Sequence, residues 1–272
     1  MQHQEVEAPA VLRDAIKDFW YISKDFDEQQ TSFEVMPDGY VEIIFYFGSA
    51  CRIATPDGWQ PLPSPFLVGL LQQPLLFQAQ SQLEVIGVKC LPWAVFELLG
   101  LPPGKGGVRL MEHSLAQLQA PLAKCLQAGN IAEALALVSQ YFMQARPQVV
   151  HDRLLRKADQ AMRAANGTLP VSQVAAAAHA SVRTLERKFK QAAGHTVKGV
   201  SALLRFEQAR HHLWLHPTVN LAGLAQDLGY ADQSHLGREF KRYSGITTAA
   251  FARKAASWQQ TVGSDVVAFV LA

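Results

Sequence analysis

The spacing of apolar positions changes along the chain. Between residues 17 and 100, short apolar runs recur between Pro, Gly, Ser and Gln turns. Residues 40–48 are β-branched and aromatic-rich and follow the turn residues Pro37, Asp38 and Gly39, which predicts a strand. Similar runs lie at 65–71, 75–79 and 83–90. Several short strands at this spacing predict a barrel or sandwich. From Trp93 onward the spacing becomes helical. Residues 93–99 form a short helix candidate ended by Gly100, and 114–128 and 131–144 read as amphipathic helices separated by Gly129 and Asn130.

Beyond Arg146 and Pro147 the pattern is helical from His151 to about Lys254, with glycine and proline mainly at the joints. This stretch repeats itself. Residues 180–200 align with 231–251 at an offset of 51, sharing alanine, leucine, arginine, phenylalanine, lysine, glycine and threonine at equivalent positions. The preceding helices align at an offset of 50, matching Val171, Val174 and Ala175 with Leu221, Leu224 and Ala225. Each copy predicts a short helix, a tight turn and a second helix. Ser172 lies beside the start of the first short helix, and Asn220 is a candidate N-cap for the second.

In the longer helices Leu185 and Phe189 share a buried face, as do Leu236 and Phe240. Arg183, Glu186, Arg187 and Lys190 then fall on one outward stripe, and Ser234, Gly237, Arg238 and Lys241 on its counterpart. Small or polar residues let such a helix settle into a major groove, where Arg reads guanine edges and Lys or Arg neutralises phosphates. Between the copies, residues 197–216 predict one long helix of roughly 30 Å, close to one turn of DNA at about 34 Å.

The charge distribution supports the same division. Residues 1–150 carry 9 Lys and Arg against 15 Asp and Glu, a net of −6, and the rest carry 16 against 8, a net of +8. A basic module joined to an acidic one suggests nucleic acid as the partner of the former. There is no apolar run of about 18 residues, so no membrane partner is expected. The N-terminus has no secretory pattern, and a cytoplasmic location is expected. Cys51, Cys90 and Cys125 are too scattered for a zinc site or a disulfide framework. The glycines around Lys105 lack the Ser or Thr of a phosphate-binding loop. His212 and His216 are one helical turn apart without an acidic partner, so neither a metal nor another cofactor is expected. Trp20, Trp59 and Trp93 are read as core, with a shared pocket as the alternative.

Residues 224–251 closely resemble the signature of the AraC/XylS family of bacterial transcription regulators, and 205–213 resemble its linker helix. The likeness covers about residues 150–254. In the first unit His179 stands near a position where the family often has glycine. More faintly, Phe19 to Tyr21, Met36 to Gly48 and Phe66 to Leu70 resemble the sensor or oligomerisation domains attached to that family, although Leu91, Pro92 and Trp93 replace an expected glycine-rich turn. The resemblance implies Arg183, Glu186 and Arg187 as base readers in the first unit, and Gln233, Ser234, His235 and Arg238 in the second, with Lys190 and Lys241 alongside. Glu186 would accept from cytosine or pair with a neighbouring cation.

The expected fold is α+β. Residues 1–148 form a distorted β-barrel with helices at about 93–145. Residues 149–256 form an all-α double helix-turn-helix domain, with units at about 168–194 and 218–245 and reading helices near 181–191 and 232–243. Residues 257–272 form a tail whose apolar end, 265–272, would pack on its own chain or add a strand to a partner. The expected function is sequence-specific regulation on double-stranded DNA, without catalysis. The resemblance adds RNA polymerase as a partner, and a small-molecule effector or a homodimer acting through the N-terminal domain. The alternatives are a DNA-tethered enzyme and a non-specific architectural protein.

Overall fold

The computed structural model describes residues 2–26, 31–104, 106–145 and 152–262. The apolar tail end and the expected boundary at Arg146 and Pro147 lie outside them. The N-terminal domain holds ten strands: β1 (Gln2–Glu7), β2 (Ile16–Lys24), β3 (Ser32–Val35), β4 (Val41–Gly48), β5 (Arg52–Thr55), β6 (Gly58–Pro61), β7 (Phe66–Val68), β8 (Leu75–Gln78), β9 (Leu83–Cys90) and β10 (Val108–Leu110). They form two antiparallel sheets, one ordered β1-β2-β9-β4-β7-β10 and the other β3-β8-β5-β6. Among the described residues the strands of the expected distorted barrel form two sheets and no closed one.

The large sheet is apolar on both faces, which explains the unbroken hydrophobic run in β4. Trp20, Ile22, Ile44, Phe66 and Val85 pack with Phe33 and Phe77 of the small sheet. Phe19, Ile43, Phe45, Ile86 and Val88 belong to a second core, shared with α1 (Val95–Leu98), α2 (Gln119–Gln127) and α3 (Ile131–Ala145). Phe142 of α3, for example, lies 6.3 Å from Phe19, ring centre to ring centre. The expected 114–128 helix begins as a 3₁₀ turn, Ser114–Leu118.

The C-terminal domain comprises α4 (Arg153–Ala164), α5 (Val171–Ala177), α6 (Val182–Ala193), α7 (Val197–Leu215), α8 (Leu221–Asp227), α9 (Gln233–Ser244) and α10 (Thr248–Val262). The pairs α5/α6 and α8/α9 are the two repeated units. Helix α7 is buried along most of its length, from Val197 to Trp214, and packs against α4, α6, α9 and α10. A helix apolar on several sides belongs in the middle of its domain. Phe206 of α7, Phe240 of α9 and Phe251 of α10 form an aromatic cluster with centroids 5.2 Å apart at both contacts. Burying each such ring contributes about 1.5–3 kcal/mol.

Local chemistry sets the helix ends. Ser181 caps α6 by accepting from Thr184 N at 3.2 Å, and Asp232 caps α9 by accepting from His235 N at 2.7 Å. Asn220 caps α8 as expected, whereas α5 starts after Pro170 without a side-chain cap, so Ser172 does not serve. The turn between the helices of each unit needs a left-handed residue. In the second unit it is Gly229, at φ 69°, but in the first it is His179, at φ 53°. A Cβ in that region costs about 1–2 kcal/mol, part of which glycine gives back as unfolded-chain entropy. His179→Gly is thus expected to raise stability by up to about 1 kcal/mol, read as a higher urea midpoint. An unchanged or lower midpoint would show that the imidazole compensates for its backbone.

No described helix is long and apolar enough to cross a membrane.

Candidate nucleic-acid interface

Leu185 and Phe189 are fully buried, which turns the opposite face of α6 outward. Arg183, Arg187 and Lys190 are exposed on it. Leu236 and Phe240 do the same for α9, exposing Gln233, Ser234, Arg238 and Lys241. Both stripes stay open to solvent with the N-terminal domain docked.

Two expected base readers are engaged within the protein. Glu186 Oε2 accepts from Val197 N at 3.3 Å, so its carboxylate sits at the N-terminus of α7, where the helix dipole favours a negative charge. Neither of its two expected roles is needed to explain it. His235 is half-buried, accepts from Ala231 N at 3.4 Å and meets the Tyr230 ring edge-on at 5.3 Å. It steadies the start of α9, leaving the exposed side chains around it to face outward.

Several charged groups that hold this surface in place were not singled out from the sequence. Lys188 of α6 is ion-paired with Asp152, the N-cap of α4. Arg205 of α7 donates to Gly167 O at 2.9 Å and to both Glu239 oxygens at 3.3 Å, tying α7 to both units. Arg163 of α4 ties the two domains together. It donates through Nε to both Asp159 oxygens at 3.1 and 3.0 Å and through Nη2 to Gly39 O at 2.8 Å, and lies 4.1 Å above the Tyr40 ring. Arg242, next to the α9 stripe, donates to Gln72 at 2.8 Å, a second contact with the N-terminal domain.

The large sheet also carries buried charges near this junction. Lys89 Nζ lies 3.5 Å from Asp38 and 3.6 Å from Glu42. Burial raises Asp18 from an ordinary 3.8 to about 6 and Glu42 from 4.5 to about 7, partly offset by Lys17 and Lys89. Both carboxyls keep protons in the folded chain at pH values where the unfolded chain has lost them. Their contribution to stability is full below the unfolded values and is lost as pH rises through the folded ones. Asp18→Asn combined with Glu42→Gln is expected to flatten the stability–pH curve between about pH 4 and 7, measured by urea unfolding. An equally steep decline in the double variant would place its source elsewhere.

The remaining candidates fall apart spatially. Trp20 lies between the sheets and Trp93 in the helix-side core, while Trp59 is exposed, so they share no pocket. His212 and His216 are exposed, and no group of His, Cys, Asp and Glu fit to hold a metal occurs among the described residues. Burial pushes the Cys51 thiol up to about 12 and Cys90 well above its ordinary value, so neither is a thiolate at neutral pH.

Two helix-turn-helix units on one central helix, attached to an antiparallel-sheet domain, define the class of fold and give it an arrangement suited to DNA. Residues 174–254 match the family model described as "Helix-turn-helix domain", of the AraC type, and residues 4–105 match the one described as "Domain of unknown function (DUF6597)". The likeness to AraC-type helix-turn-helix domains thus covers residues 174–254. The crystal structure of ToxT from Vibrio cholerae O395 shares the fold at a TM-score of 0.50 and 9% identity, over 86% of this chain and 97% of that one. An AraC-type transcriptional regulator from Chromobacterium violaceum matches at 24% identity over 38% of this chain and 92% of its own, with a TM-score of 0.35. The C-terminal domain of AraT, a response regulator from Geobacillus stearothermophilus, matches at 23% over 38% and 85%, also with a TM-score of 0.35. No curated protein sequence matches the chain.

Proposed function

We propose that the chain regulates transcription by reading a specific DNA site with α6 and α9 in two successive major grooves, its grip set through the N-terminal domain. The observation that carries this is the pair of exposed basic stripes on equivalent faces of duplicated units. Helix α7 has 19 residues and is roughly 28 Å long, which suits a spacing near one DNA turn of about 34 Å. Arg183, Arg187 and Arg238 are the base readers, with Gln233 and Ser234 beside the last. Lys190 and Lys241 bind phosphate. Glu186 and His235 act by holding the reading helices.

Selection from a random DNA library tests the specificity, since a specific regulator prefers its site at least about a thousandfold over other sequences at physiological salt. Absence of a preferred site would leave an architectural protein as the better reading. On the selected site, Arg238→Ala is expected to cost roughly 1–3 kcal/mol and to relax preference at one base pair. Uniform weakening across all sequences would reduce Arg238 to a phosphate contact.

A further inference from the structure

We propose that the cleft between β1, β2 and α4 binds a small cationic molecule, an amine or guanidinium on a short chain, with Asp18 taking its charge. The proposal rests on the reading that the N-terminal domain sets the grip on DNA, and it says where and by what chemistry. The cleft has a volume of about 630 Å³, within the usual range of about 300–1,000 Å³ for small-molecule sites. The space between the two sheets, by contrast, measures about 30 Å³, room for roughly one water. The junction cleft, unlike the sheet interior, has room for a small molecule.

Asp18 sets the chemistry. Its side chain is 2% exposed and lines the cleft, yet neither carboxylate oxygen accepts a well-directed hydrogen bond. Lys17 Nζ is 3.1 Å from one oxygen, but its own side chain is 44% exposed and leaves most of the acceptor capacity unused. An ionised carboxylate offers about four lone-pair sites, and burying them unfilled is costly. A ligand that donates two or three N–H groups would fill them. The cleft's cations are largely occupied by its own acids: Arg163 holds Asp159, and Arg13 holds Glu7 at 3.1 Å. Its charged lining comprises five carboxylates and four cationic side chains, so a cation suits it better than an anion. Burial raises the pKa of Asp18 only to about 6, leaving it ionised above neutrality.

The opposite wall, with Gln160 and Arg163, belongs to α4. A ligand touching both walls binds only the docked arrangement of the domains and so favours it. Helix α4 packs on α6 and is joined to it by the Asp152–Lys188 pair, so occupancy acts first on the first reading helix.

Calorimetry on the full chain near neutral pH, with agmatine and putrescine as probes and hexanoate as the anionic control, tests this. Saturable binding of at least one cationic probe below roughly 10 mM is expected, weakened about tenfold or more by Asp18→Asn. Gln160→Arg, at an exposed position on the α4 wall, places a cation in the cleft and is expected to abolish binding without unfolding the chain. The site is refuted if neither cationic probe binds, if both variants bind as the parent does, or if hexanoate binds equally well. DNA affinity is measured separately. Probe binding without any effect on DNA affinity would keep the site and remove its regulatory role, whereas a chain that selects no DNA site but binds agmatine through Asp18 would refute only the regulator reading.

Discussion

Arg163→Ala is expected to destabilise the chain by about 3–5 kcal/mol and to loosen the two domains from one another. The Arg163 side chain is 19% exposed and the Asp159 it holds is 4% exposed. Truncation leaves a buried carboxylate without its cation, with only Trp93 still bonded to it, which in general costs far more than the pair itself is worth. Two further losses accompany it. The Gly39 carbonyl, 124 residues away in sequence, loses its donor, and the Tyr40 ring loses a stacked cation worth about 0.5–2 kcal/mol. The double variant Arg163→Met, Asp159→Leu removes both charges together and should regain most of the folding stability. It should regain domain docking only in part, because Gly39 O still lacks its donor while Leu204 against Gly39 and the Arg242–Gln72 bond remain. Urea unfolding gives the first quantity and small-angle scattering the second. A loss for Arg163→Ala below about 1 kcal/mol, the level of a solvated surface pair, would show that water already reaches Asp159.

The role of Arg163 is not legible in the sequence, because its partners Gly39 and Tyr40 lie in the other domain. The repeated units were legible because each contains its own pattern: Leu185 with Phe189, Leu236 with Phe240, and the turn and cap residues between them all lie within one helix or one turn of their partners. Strand β4 was legible from its composition, but β1, with the sequence QHQEVE, and the exposed hairpin β5/β6 carry almost no apolar pattern and were not. How the strands divide between two sheets depends on which edges meet, which no local pattern encodes, so the α+β class was legible but the sheet order was not. The outward stripes are legible as faces, but individual residues on them are not separable by spacing. Glu186 shares its stripe with Arg183 and Arg187, and only the fold brings Val197 N to its carboxylate. The cleft was invisible for the same reason as Arg163, since its walls come from N-terminal strands and from a helix in the middle of the chain.

Arg205→Ala is expected to separate folding from reading. One guanidinium joins the loop before α5, through Gly167 O, to α9, through Glu239, and lies 5.3 Å from the Tyr230 ring in the second unit's turn. Arg205 and Glu239 are 15% and 14% exposed, so removing the arginine leaves a nearly buried carboxylate unpaired, at a cost of about 3–5 kcal/mol. Adding Glu239→Ala removes that carboxylate and should restore much of the stability, yet the two units still lack their shared brace. Two readers held at a fixed separation bind as one body, and letting them move independently lowers the effective concentration of the second once the first has bound. The double variant is thus expected to fold at near-parental stability but to bind the selected two-groove site about tenfold to a hundredfold more weakly. Its affinity for DNA carrying only the second unit's half of that site should be nearly unchanged. Arg205→Lys should fall between, because an ammonium keeps the charge but lacks the planar fork that serves Gly167 and Glu239 together. Equal weakening on whole and half sites would mean that the brace shapes α9 itself. A double variant that binds the whole site like the parent would mean that the packing of α7 alone holds the two readers in register.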